Sequence, residues 1–304
     1  MGKPNTLGIA IPTYNREDYL RTLLNTIPAD IEVSISDNGL FTSNEFKHEF
    51  GDRKFHGTKN VIPIFENWRK AIDDLDTEWV CLASDDDVFY ENAFPSFFSN
   101  IEKFPDAEII VFGHNYIDEN GVVAGEWKVP SLTEKRAPDG YQVFKYGVDA
   151  RLISVFFKKS LYKKVGGLDN RFQVTAADSD FIQQALIHGR SLFVPEIVAG
   201  YRVWKKSFTN NFSATKEWMD EVILWQSKIR NELERLGFSA NEINTNTSEV
   251  IALNLLSGLN TIQKQGKGIG NSLSFLKQYR FPVQATLKTQ LKIIQCLLKT
   301  VLKS

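Results

Sequence analysis

The chain has 304 residues, 42% hydrophobic and 24% charged, with a net charge of −1. That is the balance of an ordinary globular protein with enough chain for a sizeable core. No apolar run is long enough to suggest a transmembrane helix, and two cysteines, Cys81 and Cys296, are too few for a disulfide framework. Both lie in apolar sequence and read as free thiols in a reducing cytoplasm.

In chain order, the short polar N-terminus lacks the apolar core of a signal peptide. Gly2 with Thr6 fits the loose N-myristoylation pattern, which we read as a chance match. Leu7 to Ile11 is an apolar run stopped by Pro12, the pattern of a buried strand. From Glu17 to Thr26, the spacing of Tyr19, Leu20, Leu23, Leu24 and Ile27 predicts a helix with one apolar face. Ile31 to Ile35 alternates as a strand, and Asp37-Asn38-Gly39 ends it as a turn. Ile64 to Leu75 is helical in pattern. Trp79 to Ala83 is a third apolar strand, broken off by Asp85-Asp86-Asp87. Phe94 to Phe104 predicts a helix and Ile109 to Phe112 a fourth strand. This alternation implies an α/β fold, a mainly parallel sheet with helices on both faces. Residues 117–138 read as a hairpin and loops, Leu152 to Phe157 as a strand and Asp178 to Ile187 as a helix. Ser191 to Val198 and Tyr201 to Val203 read as two short strands. From about Ala214 the patterns are helical: 216–236, 239–261 and 287–302. The predicted boundary lies near residue 213, giving a catalytic domain over 1–213 and a helical region over 214–304.

Ligands of open α/β sheets bind beyond the carboxyl ends of the strands. Three carboxylate features fall at such places: Asp37, the triplet Asp85-Asp86-Asp87, and Asp178 with Asp180. Three adjacent aspartates repel one another, a cost that a bound cation or a donor network offsets. Hard divalent cations want oxygen ligands and associate with diphosphates. The sequence also admits a plainer reading, in which Ser84 caps a following helix and the aspartates favour its N-terminus.

Four ordered motifs resemble the family-two inverting glycosyltransferases of the GT-A fold. They are Ile11-Pro12-Thr13-Tyr14-Asn15-Arg16; Ile35-Ser36-Asp37-Asn38-Gly39; the strand from Trp79 into Asp85-Asp86-Asp87-Val88; and Val165-Gly166-Gly167-Leu168-Asp169 followed by Ala177-Asp178-Ser179-Asp180-Phe181. The resemblance spans roughly residues 7–205 and implies a Rossmann-like, mixed, mainly parallel sheet with flanking helices. It further implies that Tyr14 packs on a nucleotide base, with Pro12 and Thr13 shaping the pocket. Asp37 would accept a hydrogen bond from the base, which suggests uracil, and Asp85 would touch the ribose. Asp86 or Asp87 would ligate Mn²⁺ or Mg²⁺ on the diphosphate, the triplet permitting two registers. Asp178 would be the catalytic base, with Asp180 a rival two residues away. Tyr14 as a core aromatic, Asp37 as a turn former and Asp178 as a helix cap are the competing structural readings. Lys59-Asn60 and Glu66-Asn67 fall where relatives line the donor pocket, although a solvated face explains them equally.

The sequence departs from the family at Ala177, where an acidic residue is usual, and at Trp204, where many members carry a histidine. Arg202 or Lys205 could then meet the diphosphate instead. The implied reaction moves a sugar from a nucleotide-diphospho-sugar to a hydroxyl of a saccharide or lipid-linked saccharide acceptor, in surface polysaccharide biosynthesis. A sugar nucleotidyltransferase, or a non-catalytic scaffold of glycan synthesis, is the alternative. A glycine-rich basic loop expected of the former is missing after the first strand.

The tail differs in charge from the rest. Glu249 is the last acidic residue, and eight basic residues follow it, Lys264, Lys267, Lys277, Arg280, Lys288, Lys292, Lys299 and Lys303. Leu287, Leu291, Ile294, Leu298 and Val301 recur at alternating spacings of four and three, the pattern of an amphipathic helix. Ile293, Leu297 and Leu302 widen the stripe. The two expectations are contact with the inner face of the cytoplasmic membrane and packing on protein, including homodimerisation. Nucleic acid is not an expected partner, since the rest of the chain is acidic and shows no recognition motif.

Overall fold

The computed structural model describes residues 6–204 and 212–301. Gly2, Lys205, Leu302 and Lys303 therefore lie outside the described residues. The chain divides into two compact units. The first comprises Met1–Val143, Asp149–Gln173 and Phe181–Trp204; the second comprises Phe144–Val148, Val174–Asp180 and Lys205–Ser304.

The first unit is built on a ten-stranded sheet in the order β3-β2-β1-β4-β9-β6-β10-β5, with β7 on β6 and β8 on β10. The strands are β1 (Leu7–Thr13), β2 (Glu32–Asn38), β3 (Lys54–Thr58), β4 (Trp79–Leu82), β5 (Val88–Phe89), β6 (Ile109–Ile117), β7 (Val123–Trp127), β8 (Thr133–Lys135), β9 (Val155–Lys158) and β10 (Ser191–Arg202). Strands β3, β2, β1, β4, β6 and β10 run the same way, and β9 runs against its neighbours β4 and β6. The helices are α1 (Glu17–Leu24), α2 (Asn44–Glu49), α3 (Ile64–Asp73), α4 (Ala93–Lys103), α5 (Lys159–Lys164) and α6 (Ala177–His188), the last of which begins in the second unit.

Both faces of the sheet are covered, which is why β1 is buried at every position. Leu7, Ile9 and Ile11 share one core cluster with Leu20, Leu23 and Leu24 of α1 and with Phe94 and Phe97 of α4. On the other face α3 packs against β1 and β2. There Gly8 leaves room for Leu75, whose Cδ2 lies 2.7 Å from where a Cβ would stand. A strand covered on both sides loses the polar alternation of a half-buried one. The alternation read from Ile31 onward is accordingly absent: β2 is buried from Val33 to Asn38, and Ile31 precedes it.

Other expectations are corrected at their edges. Pro12 does not end β1, which continues to Thr13. Leu152–Ser154 forms a 3₁₀ turn, and only Val155–Lys158 is strand. The two strands expected between Ser191 and Val203 are one, with register shifts between Phe193 and Ala199. No helix follows the aspartate triplet directly: Asp87 N–H closes a turn on Ser84 O at 3.1 Å, β5 comes next, and α4 begins at Ala93. The reading of Ser84 as a helix cap is thereby ruled out.

The second unit contains α7 (Lys216–Arg235), α8 (Ala240–Lys264), α9 (Ile269–Tyr279) and α10 (Leu287–Val301). Thr215 and Ser239 cap α7 and α8 through Trp218 N–H and Glu242 N–H, satisfying donors that a helix start leaves unpaired. Helix α8 packs against α7, α9 and α10. Its Gly258 admits the Phe275 ring, which would lie 2.6 Å from an added Cβ. Helix α9 was not predicted from the sequence.

Candidate active site

The carboxyl ends of β1, β2, β4 and β10 meet in the first unit, and side chains lace them together. Thr13, the last residue of β1, donates its hydroxyl to Asp85 Oδ2 at 2.8 Å, and Tyr14 N–H reaches the same oxygen at 3.4 Å. Asn67, buried on α3, accepts Ser36 Oγ–H at 2.7 Å and donates to Ser36 O and Thr13 O at 3.1 and 3.5 Å. It therefore straps β1 to β2. Asn15 takes φ +53°, in the left-handed region that asparagine tolerates better than most residues. That bend carries the chain from β1 into α1 and sets Arg16 over the triplet.

The three aspartates have separate partners. Asp85 faces Thr13, Tyr14 N–H and Arg16 NH1, the last at 3.3 Å. Asp86 Oδ2 accepts from Arg16 NH1 at 2.9 Å and from Trp204 Nε1 at 2.5 Å. Its Oδ1 has no hydrogen-bond partner among the described residues. Asp87 Oδ1 accepts Arg202 N–H at 2.9 Å, joining the triplet to the end of β10. Burial and the adjacent Asp86 charge raise the Asp85 carboxyl to about 6, against the pull of Arg16, Thr13 and Tyr14 N–H. Burial, then Asp86, also pushes Asp87 well above the usual carboxylate range. Carboxylates pressed together out of water resist ionising, as Asp85 and Asp87 do here, and Arg16 supplies the nearby positive charge.

Trp204 brings a donor to Asp86. An indole N–H can only give a hydrogen bond, so this position cannot ligate a metal. The ring is held edge-on by Tyr19 at 5.0 Å, with the Arg16 guanidinium 5.6 Å from its centroid. Arg202 is committed to the backbone. Its Nε donates to Asp86 O at 2.7 Å, and NH1 donates to Asp118 O and Glu119 O at 2.7 and 3.0 Å. It braces the triplet loop.

Tyr14 is 51% exposed and in edge-to-face contact with Phe41 at a centroid distance of 5.1 Å. It is not a core aromatic. Pro12 lies buried within β1, opposite Ser36 of β2. Asp37 is 1% exposed. Its oxygens accept Phe41 N–H and Thr42 N–H, both at 3.0 Å, and Lys47 Nζ stands 3.5 Å away. Asp37 thus shapes the loop that follows β2.

In the second unit, Asp178 and Asp180 occupy the first turn of α6. Asp178 is half-buried, and its Oδ1 accepts Ser179 N–H at 2.7 Å. Asp180 is buried and paired with Lys228 of α7. Glu221 of α7 accepts Val174 N–H at 3.0 Å and Thr175 N–H at 2.7 Å, fixing the approach to this turn. Ala176 sits at φ +64° just before it, a conformation an alanine adopts only where its surroundings enforce it. The Gly166-Gly167 pair has φ +85° and +64°, and a Cβ at Gly167 would fall 2.7 Å from the Tyr162 ring. Asp169 is held by Arg171 at 2.6 Å.

Arg16, Asn67 and Trp204 are contributors that sequence reasoning did not single out. Sequence alone assigns Arg16 no role and leaves Asn67 between a donor-pocket lining and a solvated face, the second of which its burial excludes. Trp204 was noted only for the imidazole it lacks.

Comparison with solved structures places the fold. Residues 1–349 of TarS from S. aureus match at a TM-score of 0.62 with 12% identity, covering 96% of this chain and 89% of that one. The same portion in complex with UDP-GlcNAc matches at 0.61, also with 12% identity and the same coverage. The mannosyltransferase PcManGT from Pyrobaculum calidifontis, in complex with GDP-Man and Mn²⁺, matches at 0.55 with 14% identity, covering 99% of this chain and 88% of that one. At such identities the likeness establishes the shared fold, a mixed α/β sheet of GT-A type followed by helices. No curated protein sequence matches the chain. The family model described as Glycosyl transferase family 2 matches residues 8–161, from β1 through the triplet and into α5. That stretch is slightly more than half of the chain, and it makes this protein a member of glycosyl transferase family 2.

Proposed function

We propose that the protein transfers a sugar, with inversion at the anomeric carbon, from a nucleotide-diphospho-sugar to a hydroxyl of a glycan or lipid-linked saccharide. We take the donor to be a UDP-sugar and the setting to be surface polysaccharide synthesis in the cytoplasm. Residues 1–213 form the catalytic domain and 214–304 the accessory helical region. One observation carries the reading. At the carboxyl end of a mainly parallel sheet, Asp86 keeps one oxygen unpartnered while Arg16 and Trp204 hold the other, beside the exposed ring of Tyr14.

The donor set fits Mn²⁺ or Mg²⁺ of a particular kind. Among the described residues no group of three or more carboxylate, histidine or cysteine side chains forms a ready cage. A cation that takes one or two carboxylates and completes its shell with phosphate and water needs no such cage. Asp86, with Asp87 beside it, would hold that cation. Asp86 Oδ1 and Asp87 Oδ2 are each without a hydrogen-bond partner among the described residues; we take Asp86 as first ligand because Arg16, a cation suited to phosphate, stands on its other oxygen. When bound, the cation neutralises charge gathering on the leaving diphosphate. The TarS structure with UDP-GlcNAc and the mannosyltransferase structure with GDP-Man and Mn²⁺ support this donor class.

The chain's own residues do the rest. Tyr14 stacks on the base, Pro12 and Thr13 form the wall beneath it, and Asp37 receives the base's imide N–H. Asp85 orients the ribose. Arg16 adds positive charge where phosphate oxygens arrive. Asp178 takes the proton of the acceptor hydroxyl as its oxygen bonds to the anomeric carbon. Its half-buried carboxylate supports that role, and the buried pairing of Asp180 with Lys228 argues against Asp180.

The test is nucleotide release from a panel of sugar nucleotides, with Mn²⁺ and with EDTA. The proposal expects metal-dependent release that Asp178→Asn abolishes while donor binding survives. Pyrophosphate-dependent turnover would identify a nucleotidyltransferase instead, and donor binding without turnover on any acceptor would identify a scaffold.

A further inference from the structure

Helix α10 has two faces of different character: a mixed one of threonines, Ile293 and Cys296 is turned inward, and an aliphatic one outward. Its buried positions are Thr289, Ile293, Cys296 and Thr300. Glu249 of α8 accepts Thr286 N–H at 2.7 Å, Thr286 Oγ–H at 3.1 Å and the Thr289 hydroxyl. Gln263 of α8 donates to Cys296 O at 2.6 Å and to the Thr300 hydroxyl. These bonds fix how the helix is rotated about its own axis.

The opposite side carries Leu287, Leu291, Ile294, Leu298 and Val301, each between 42% and 70% exposed. At 3.6 residues per turn these five fall in one stripe along the helix. The preceding loop is tied to the helix by Gln290 Nε2, which donates to Val283 O and Ala285 O at 3.1 and 2.8 Å. That loop adds Val283, 73% exposed. A continuous apolar face of this length marks an interaction surface rather than scattered surface aliphatics. Lys288, Lys292 and Lys299 lie together along one edge of the stripe and are exposed.

We infer that α10 lies flat in the headgroup region of an anionic lipid surface, its stripe among the acyl chains and its lysines on lipid phosphates. Charge selects this occupant over a second copy of the chain. Residues 250–304 hold eight lysines and arginines and no aspartate or glutamate. Two copies meeting stripe to stripe would bring two such segments together without a carboxylate in either to neutralise them. An anionic lipid surface supplies the missing charge, and each lysine adds to the attraction. Length fixes the orientation. Fifteen residues span about 22 Å, short of the roughly 30 Å of a hydrocarbon core, and no described helix is long and apolar enough to cross a membrane. The inference stands apart from the proposed chemistry, since no residue of the candidate active site takes part.

Co-sedimentation of the full chain with phosphatidylcholine vesicles, with and without phosphatidylglycerol, is the test. The wild type is expected to pellet with the anionic vesicles and to be released by salt. Leu291→Glu with Leu298→Glu should abolish binding. Lys288→Gln, Lys292→Gln and Lys299→Gln together should weaken it on the order of 100-fold. All five positions are exposed, and unchanged thermal melting confirms that the variants fold. Wild-type-like binding by the double glutamate variant overturns the proposal. So does a wild type that ignores anionic vesicles yet forms a dimer in light scattering that the double variant disperses, an outcome that assigns the stripe to a second copy.

Discussion

The end of β4 and the last helix invert the same rule in opposite directions. At β4 three aspartates are withdrawn from water, between 2% and 8% exposed. On α10 five large aliphatics stand in water while threonines face the interior. Neither arrangement is what folding alone favours. Buried carboxylates resist ionising, and apolar side chains gain by burial. Where a fold departs from both preferences, function is the economical explanation. The triplet is compensated in part from within, by Thr13, Arg16, Trp204 and Arg202 N–H. The stripe has no compensation within its own helix, and the proposed lipid surface would supply it.

The comparison can be broken at several places. The largest effect is expected at Asp178. Replacing a general base costs roughly 10²–10⁴-fold in rate, so Asp178→Asn should lose about 10³-fold in turnover with donor affinity retained. An equal loss of affinity would make it a binding residue. Next come the two sides of α10. Ile293→Ala removes a buried side chain and should cost about 2–5 kcal/mol in chemical denaturation. Leu291→Ala on the outer side should stay within about 0.5 kcal/mol; equal costs would mean the stripe is packed in solution.

A buried polar group elsewhere in the first unit gives a pH signature. His114 is fully buried, and burial, then the Arg151 charge, lowers it from 6.5 to about 4. The unfolded chain therefore takes up a proton that the folded chain refuses. Stability is intact above pH 6.5 and falls as pH drops from there towards 4, by at most about 3 kcal/mol. In His114→Asn that acid-side slope should flatten; an unchanged slope would remove His114 from the account. In the first unit, Thr13→Ala deletes one hydrogen bond to Asp85 and should cost about 1 kcal/mol in unfolding experiments.

Much of this was legible in the sequence, for identifiable reasons. Strands β1 and β4 are covered on both faces and read as unbroken apolar runs, so the residues after them marked the strand ends where ligands bind. The triplet followed from that, Asp37 from the turn at the end of the second strand, and Tyr14 from the resemblance to the family. Strand β3, Lys-Phe-His-Gly-Thr, was invisible because it pairs only with β2 and shows no apolar pattern. Strand β10 looked like two because Ala199-Gly200 breaks its run of larger apolar residues, although its register with β6 shifts earlier, between Phe193 and Ala199. The antiparallel β9 is set by pairing with β4 and β6, distant in sequence. The partners of the triplet are equally non-local: Arg16 lies 70 positions and Trp204 118 positions from Asp86. No periodicity encodes contacts of that span. The tail's stripe was legible at once, but its outward direction was not, since it depends on Glu249 and Gln263 of another helix.

The central claim is that Asp86 carries a divalent cation onto a nucleotide diphosphate. It is tested most directly by the electron paramagnetic resonance signal of free Mn²⁺, titrated with protein in the presence of UDP or GDP. The account predicts that the wild type quenches the signal only when nucleotide is present, and that Asp86→Asn removes this quenching while remaining folded. Nucleotide-dependent Mn²⁺ binding by Asp86→Asn at wild-type affinity would contradict it.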